Sequence, residues 1–187
     1  MTEYSPMQQV KRRFYAMRNG IVADTLRRSG HPCRMIFGLN LPQIIDIAAE
    51  TGPSAELAEE LGAARRTRVS LLLSAMLYPA DGMTPETARR WMRAVPAAEV
   101  ADILCHRLLR RLPSAWELAS ALAADPEPMT RYTALRLMRN ILTRENATLV
   151  RPFAEAELDR AEPLTRPLCL NILDEITFLL DEDETTL

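Results

Sequence analysis

An all-α fold is predicted by three features of this sequence. No stretch alternates apolar and polar residues with the period of two that a half-buried strand requires, while apolar residues recur at three- and four-residue spacing through most of the chain. Glycine occurs only 6 times in 187 residues and aromatic residues make up 5%, too little to supply the turns and strand faces of a β-sandwich or barrel. Prolines and cap residues then cut the chain into segments of roughly 10–16 residues, the length of ordinary globular helices. A content of 48% hydrophobic and 26% charged residues supports a packed core and excludes a disordered chain.

The elements follow in order. Residues 5–29 form one long helix, or two short ones broken near Asn19-Gly20, ending at Ser29-Gly30. Asn40-Leu41-Pro42 starts a helix that runs to Thr51-Gly52, with Ile44, Ile45, Ile47 and Ala48 on its apolar stripe. Pro53-Ser54 opens a short helix through Leu57 and Leu61. The run from Arg65 to Tyr78 is apolar almost throughout and reads as a central buried helix. Thr84-Pro85-Glu86 begins the next, with proline at the first helical position and an acid against the helix dipole. Pro96, Pro113, Pro126, Pro128, Pro152 and Pro163 mark further boundaries, giving helices near 97–111, 114–124, 128–143, 148–160 and 163–181.

These lengths and short connections suit stacked helical hairpins. The segment from Arg68-Val69-Ser70 can be laid over that from Arg131-Tyr132-Thr133 at an offset of 63, as two helical pairs of roughly 31 residues would produce. The expected architecture is therefore a curved α-solenoid of HEAT-like repeats, with a compact multi-helix bundle as the alternative. One domain over residues 1–187 is expected, with 182–187 a disordered acidic tail.

Charge is unevenly placed. Residues 1–40 carry seven cations against Glu3 and Asp24, whereas residues 153–187 carry ten acids against Arg160 and Arg166. Only Lys11 among the 23 cations is lysine, and arginine offers the planar fork of donors that suits phosphates and carboxylates. Arginines cluster at Lys11-Arg12-Arg13, Arg65-Arg66-Arg68, Arg107-Arg110-Arg111 and Arg136-Arg139, with further clusters at Arg27-Arg28 and Arg89-Arg90-Arg93. On stacked helices such clusters can align into a stripe that tracks a phosphate backbone with little base readout. Solvated helix faces paired with the acidic end are the plainer alternative, and the acidic balance (pI about 5.8) opposes very tight non-specific DNA binding.

No apolar run reaches the roughly 18–20 residues that span a bilayer, and the first residues lack a signal peptide's apolar segment, so a cytoplasmic protein is expected. Three scattered cysteines, Cys33, Cys105 and Cys169, fit neither a disulfide framework nor a zinc knuckle. Two histidines and no Gly-rich lysine loop leave no metal or phosphate-loop motif, so no cofactor is expected. Adjacent Cys105 and His106 point about 100° apart on a helix, which disfavours a nucleophile–base pair. Trp91 and Trp116 read as packing residues, and Asp102 with His106 as an i, i+4 surface pair.

Several segments carry a resemblance: RNGIVADTLRRSGHPCRMIFGLNLPQIIDIAAETGPSAELAEEL, LLLSAMLYP, the Trp91-Met92 helix and EVADILCHRLLRRLP. Over roughly residues 8–180 the sequence resembles the DNA alkylation repair family of HEAT-like repeat DNA glycosylases, more closely its short bacterial members. The resemblance implies a concave cationic face that cradles duplex DNA, damaged or not. In active members it implies hydrolysis of the N-glycosidic bond of N3- or N7-alkylated purines. A carboxylate and electron-rich aromatic faces there stabilise the developing sugar cation. Asp102 falls where the family's aspartate would, and Arg131 matches its phosphate-side arginine. The position four before Asp102 is Ala98 rather than Trp, and Leu168-Cys169-Leu170-Asn171 offers no second Trp. A DNA-binding repeat protein with weak or lost excision is thus one reading. The other is a non-enzymatic scaffold whose acidic segment Leu180-Asp181-Glu182-Asp183-Glu184 docks a protein partner.

Overall fold

The computed structural model describes residues 4–64 and 67–181; Arg65, Arg66 and the acidic segment 182–187 lie outside the described residues. Eleven α-helices occur among the described residues. They are α1 (Pro6–Ala16), α2 (Gly20–Arg28), α3 (Leu41–Thr51), α4 (Ala55–Ala64), α5 (Arg68–Leu77), α6 (Pro85–Arg93), α7 (Ala98–Arg107), α8 (Ala115–Leu122), α9 (Pro128–Asn140), α10 (Ala147–Asp159) and α11 (Arg166–Asp181). The only β-type pairing among them is an isolated bridge between Met35 and Thr67.

The cap residues act as the sequence predicts. Asn40 and Gln43 form a reciprocal capping box at the start of α3, and Thr84 Oγ1 accepts from the Thr87 amide at α6. Asn19 breaks the first helical stretch in two, its side chain accepting from the amides of Ile21 and Val22. Two boundaries differ from expectation. The helix expected over 97–111 ends at Arg107 and tightens into a 3-10 turn over Leu109–Arg111, because Pro113 holds Leu112 in extended backbone (φ −79°, ψ 137°). Pro152 is not a boundary but lies inside α10, where it removes only the bond to the Thr148 carbonyl. Thr148 and Pro152 are both exposed, so water can satisfy that carbonyl.

The chain divides into two compact units, Met1–Met83 and Thr84–Leu187. In the first, α5 packs against α3 and α4, and α1 lies on the same pair. Nine of the ten α5 residues are buried, as the apolar run predicts, and Val69, Leu72, Leu73 and Leu77 are fully enclosed. Each enclosed leucine is worth roughly 1.5–3 kcal/mol of transfer free energy. In the second, α9 holds the centre against α6, α7, α8 and α11, and α10 pairs with α11.

The repeat expected from the sequence is visible in the element register. Helices α5, α7 and α9 begin at Arg68, Ala98 and Pro128, thirty residues apart each time, and each is followed by a second helix, α6, α8 or α10. The starts of α5 and α9 are 60 residues apart, and the offset of 63 read from the sequence lays Arg68, first in α5, over Arg131 in the first turn of α9. Both arginines are 5% exposed, and both hold backbone: Arg68 Nη1 donates to the Leu39 carbonyl (2.7 Å), and Arg131 Nη1 to those of Asp125 (3.0 Å) and Pro126 (2.9 Å). A buried guanidinium that ties down the chain entering or flanking its own unit recurs with the repeat.

Candidate nucleic-acid interface

Asp102 lies in the second turn of α7 and faces α9. Its Oδ1 accepts the Tyr132 hydroxyl at 3.0 Å and lies 3.0 Å from Arg136 Nε. The Nε–H is poorly aligned for a hydrogen bond, so the second contact is ionic. Tyr132 and Arg136 are i, i+4 on α9, which is why one carboxylate reaches both. The side chains of Asp102 and Arg136 are 34% and 24% exposed, so this cluster reaches the surface. The expected Asp102–His106 pair is replaced by these cross-helix contacts.

Burial first, then the Asp102 charge and hydrogen bond, push the Tyr132 phenol up to about 12, so it remains a donor to the carboxylate. Cys105 lies on the buried side of α7, its thiol donating to the Thr133 carbonyl at 3.4 Å. Burial, then the Asp102 charge, raise its pKa far above the ordinary thiol value, and this suits a small core residue rather than a nucleophile.

His106, one turn beyond Asp102, is exposed. Partial burial, then the guanidiniums of Arg110, Arg107 and Arg136, lower its pKa below the ordinary imidazole value. Arg107, Arg110 and Arg111 are exposed and make no ion pair among the described residues. The α7 helix breaks at Leu108, so Arg107 and Arg111 do not share a continuous helical face; the 3-10 turn presents Arg110 and Arg111 instead.

The other expected residues are placed differently. Arg131 is buried against Glu157, with Nε 3.0 and 2.8 Å from its two oxygens, which makes the pair part of the core of the second unit. Arg139 Nε donates to Glu175 at 2.9 Å and ties α9 to α11. In the first unit, Arg68 is enclosed as described, and Arg65 and Arg66 fall outside the described residues. On α1, Lys11 is exposed, Arg12 stacks over the Tyr4 ring (4.3 Å to its centroid) and Arg13 pairs with Glu50 at 2.5 Å. Trp116 is half-buried and packs edge-on against Phe153, and Trp91 is also half-buried. Tyr132 is the residue that sequence reading missed: an aromatic neighbour for Asp102 supplied from α9, thirty residues away. No pattern in the sequence signals this pairing, which joins two different helices.

Among the described residues no group of three His, Cys, Asp or Glu side chains could hold a metal ion, and no helix is long and apolar enough to cross a membrane.

An all-α chain whose helices α5, α7 and α9 begin thirty residues apart, with α5 and α9 packed at the centres of their own units, has the arrangement of a HEAT-like repeat fold. A solved structure described as "a new family of proteins related to the HEAT-like repeat DNA glycosylases with affinity for branched DNA structures" is similar to this chain, with a TM-score of 0.80 over 93% of this chain and 77% of that one, at 14% identity. No family model and no curated protein matches the sequence.

Proposed function

We propose that this chain is a DNA-binding HEAT-like repeat protein that grips the phosphate backbone without excising bases. The observation that carries the reading is the set of exposed arginines at the end of α7, Arg107, Arg110 and Arg111, which have no acidic partner among the described residues. Arg107 and Arg110 lie close enough to His106 to lower its pKa, and exposed guanidiniums without an acidic partner attract a polyanion. The solved structure with the similar fold is described as having affinity for branched DNA, which supports nucleic acid as the polyanion here.

The argument against excision is electrostatic. A carboxylate stabilises a developing sugar cation through its net negative charge. Asp102 has an arginine 3.0 Å away and a phenol bonded to the same oxygen, so most of that charge is already compensated. Its aromatic neighbour is spent as a hydrogen-bond donor. Asp102 thus ties α7 to α9 through Tyr132 and Arg136.

The test is fluorescence anisotropy on labelled duplexes over a salt series. The wild-type protein is expected to bind with a steep salt dependence. Replacing Arg107, Arg110 and Arg111 by Ala lowers the slope of log K against log salt by up to about 3, near 0.9 per phosphate contact. An unchanged slope removes this patch from the interface. Release of methylated purine above the uncatalysed background would refute the binding-only reading.

A further inference from the structure

The first unit holds a cleft of about 450 Å³ beside α1 and α3, within the size range of small-ligand sites. Val10 and Ile47, both buried, form its apolar part, and Tyr4, Arg12, Arg13, Glu50 and Thr51 surround them. Tyr4 is held in place by local chemistry. The Gln9 side-chain amide donates to the Tyr4 carbonyl (2.9 Å), Ser5 and Gln8 cap the helix reciprocally, and Pro6 fixes the first turn. Tyr4 is nevertheless 50% exposed, with the Arg12 guanidinium stacked over its ring. Across the cleft, Arg13 and Glu50 meet through two contacts, Nη2 to Oε1 at 3.0 Å and Nη1 to Oε2 at 2.5 Å, so Glu50 is neutralised and does not repel an anion.

An exposed tyrosine with an arginine stacked over its ring and an apolar floor beside it matches the chemistry of a nucleotide: a flat base beside a phosphate. A base inside a duplex cannot present its face to such a platform, because its neighbours cover it. We propose that this cleft binds an unpaired nucleotide of DNA, its base stacked at Tyr4 and its phosphate met by Arg12. The inference rests on the DNA-binding reading above and adds to it a preference for single-stranded arms and branch points over continuous duplex. An acidic peptide is the weaker candidate, since it has no use for the aromatic platform.

The experiment compares the full chain and its Tyr4→Ala and Tyr4→Phe variants. Anisotropy is measured on a blunt duplex and on the same duplex carrying a ten-thymidine single-stranded arm. One stacked base is worth roughly a 5- to 100-fold difference in affinity. The wild type is expected to prefer the armed duplex by that factor. Tyr4→Ala abolishes the preference and leaves blunt-duplex affinity unchanged, while Tyr4→Phe retains it. Tyr4 lies at an exposed helix start, so a circular-dichroism melt should show Tyr4→Ala folded. Duplex binding with no preference for the arm, or a preference that survives Tyr4→Ala, overturns the cleft assignment and leaves the α7 patch standing. Failure to bind either DNA refutes the DNA-binding reading and the cleft with it.

Discussion

Replacing Arg131 by Ala separates a structural from a phosphate-binding role for that residue. Glu157 is 2% exposed and receives Arg131 Nε on both oxygens, the Thr165 hydroxyl at 2.8 Å and Arg160 Nε at 3.3 Å. Removing one partner of a buried ion pair costs about 3–5 kcal/mol, because the other charge is left desolvated. Thr165 and Arg160 still serve Glu157 in the variant, which puts the loss near the lower end, about 3 kcal/mol. For a chain of this size that is a fall in melting temperature of roughly 6–12 °C. The assay is urea unfolding followed by circular dichroism, where the midpoint should fall at constant slope. Arg131→Met with Glu157→Met should recover much of the loss, since replacing both partners leaves no uncompensated charge. A folded Arg131→Ala protein within about 1 kcal/mol of wild type that had lost DNA affinity would refute the structural assignment.

Other expectations are briefer. Arg68→Ala removes the charged donor to the Leu39 carbonyl and should cost about 1.5–3 kcal/mol in the same unfolding assay. Gly38 has φ +76°, and a side chain there would collide with the Asn19 carbonyl, so Gly38→Ala should destabilise by at least about 2 kcal/mol, read as a shifted urea midpoint. Tyr132 and Cys169 have folded pKa values raised to about 12 and about 11, and Cys105 is raised as well. The native state therefore holds protons that the unfolded chain releases first, so the stability from these groups is complete below pH 9 and is lost as pH rises through 9–12. Tyr132→Phe should flatten the upper part of that decline in melts taken between pH 10 and 12. Cys105 and Cys169 are fully enclosed and should resist a thiol reagent until urea is added.

The parts of the fold written in local chemistry were legible. Asn40-Leu41-Pro42 and Thr84-Pro85 set helix starts through a cap hydroxyl or amide and a proline ring, and both effects act within four residues. The buried α5 was legible because its apolar residues cover every side of the helix. Pro152 misled because an interior proline does not always end a helix, and here the carbonyl it leaves free lies on an exposed turn. Asp102 was found by resemblance, but its partners were not, since Tyr132 and Arg136 come from a different helix thirty or more residues away. No local pattern encodes a pairing of that range.

The arginines show most clearly what the fold adds. In the sequence Arg68, Arg131, Arg139 and Arg107 look alike, each an arginine in a basic stretch. Folding sorts them by what surrounds the guanidinium. Arg68 and Arg131 are enclosed and bonded to carbonyls, and Arg131 also to Glu157. Arg136 and Arg139 are half-exposed and answered by Asp102 and Glu175. Arg107, Arg110 and Arg111 are left to solvent. A guanidinium already neutralised contributes little to binding a phosphate, because that contact must first replace the existing one. Among these seven arginines, affinity for a phosphate backbone therefore rests on the third group.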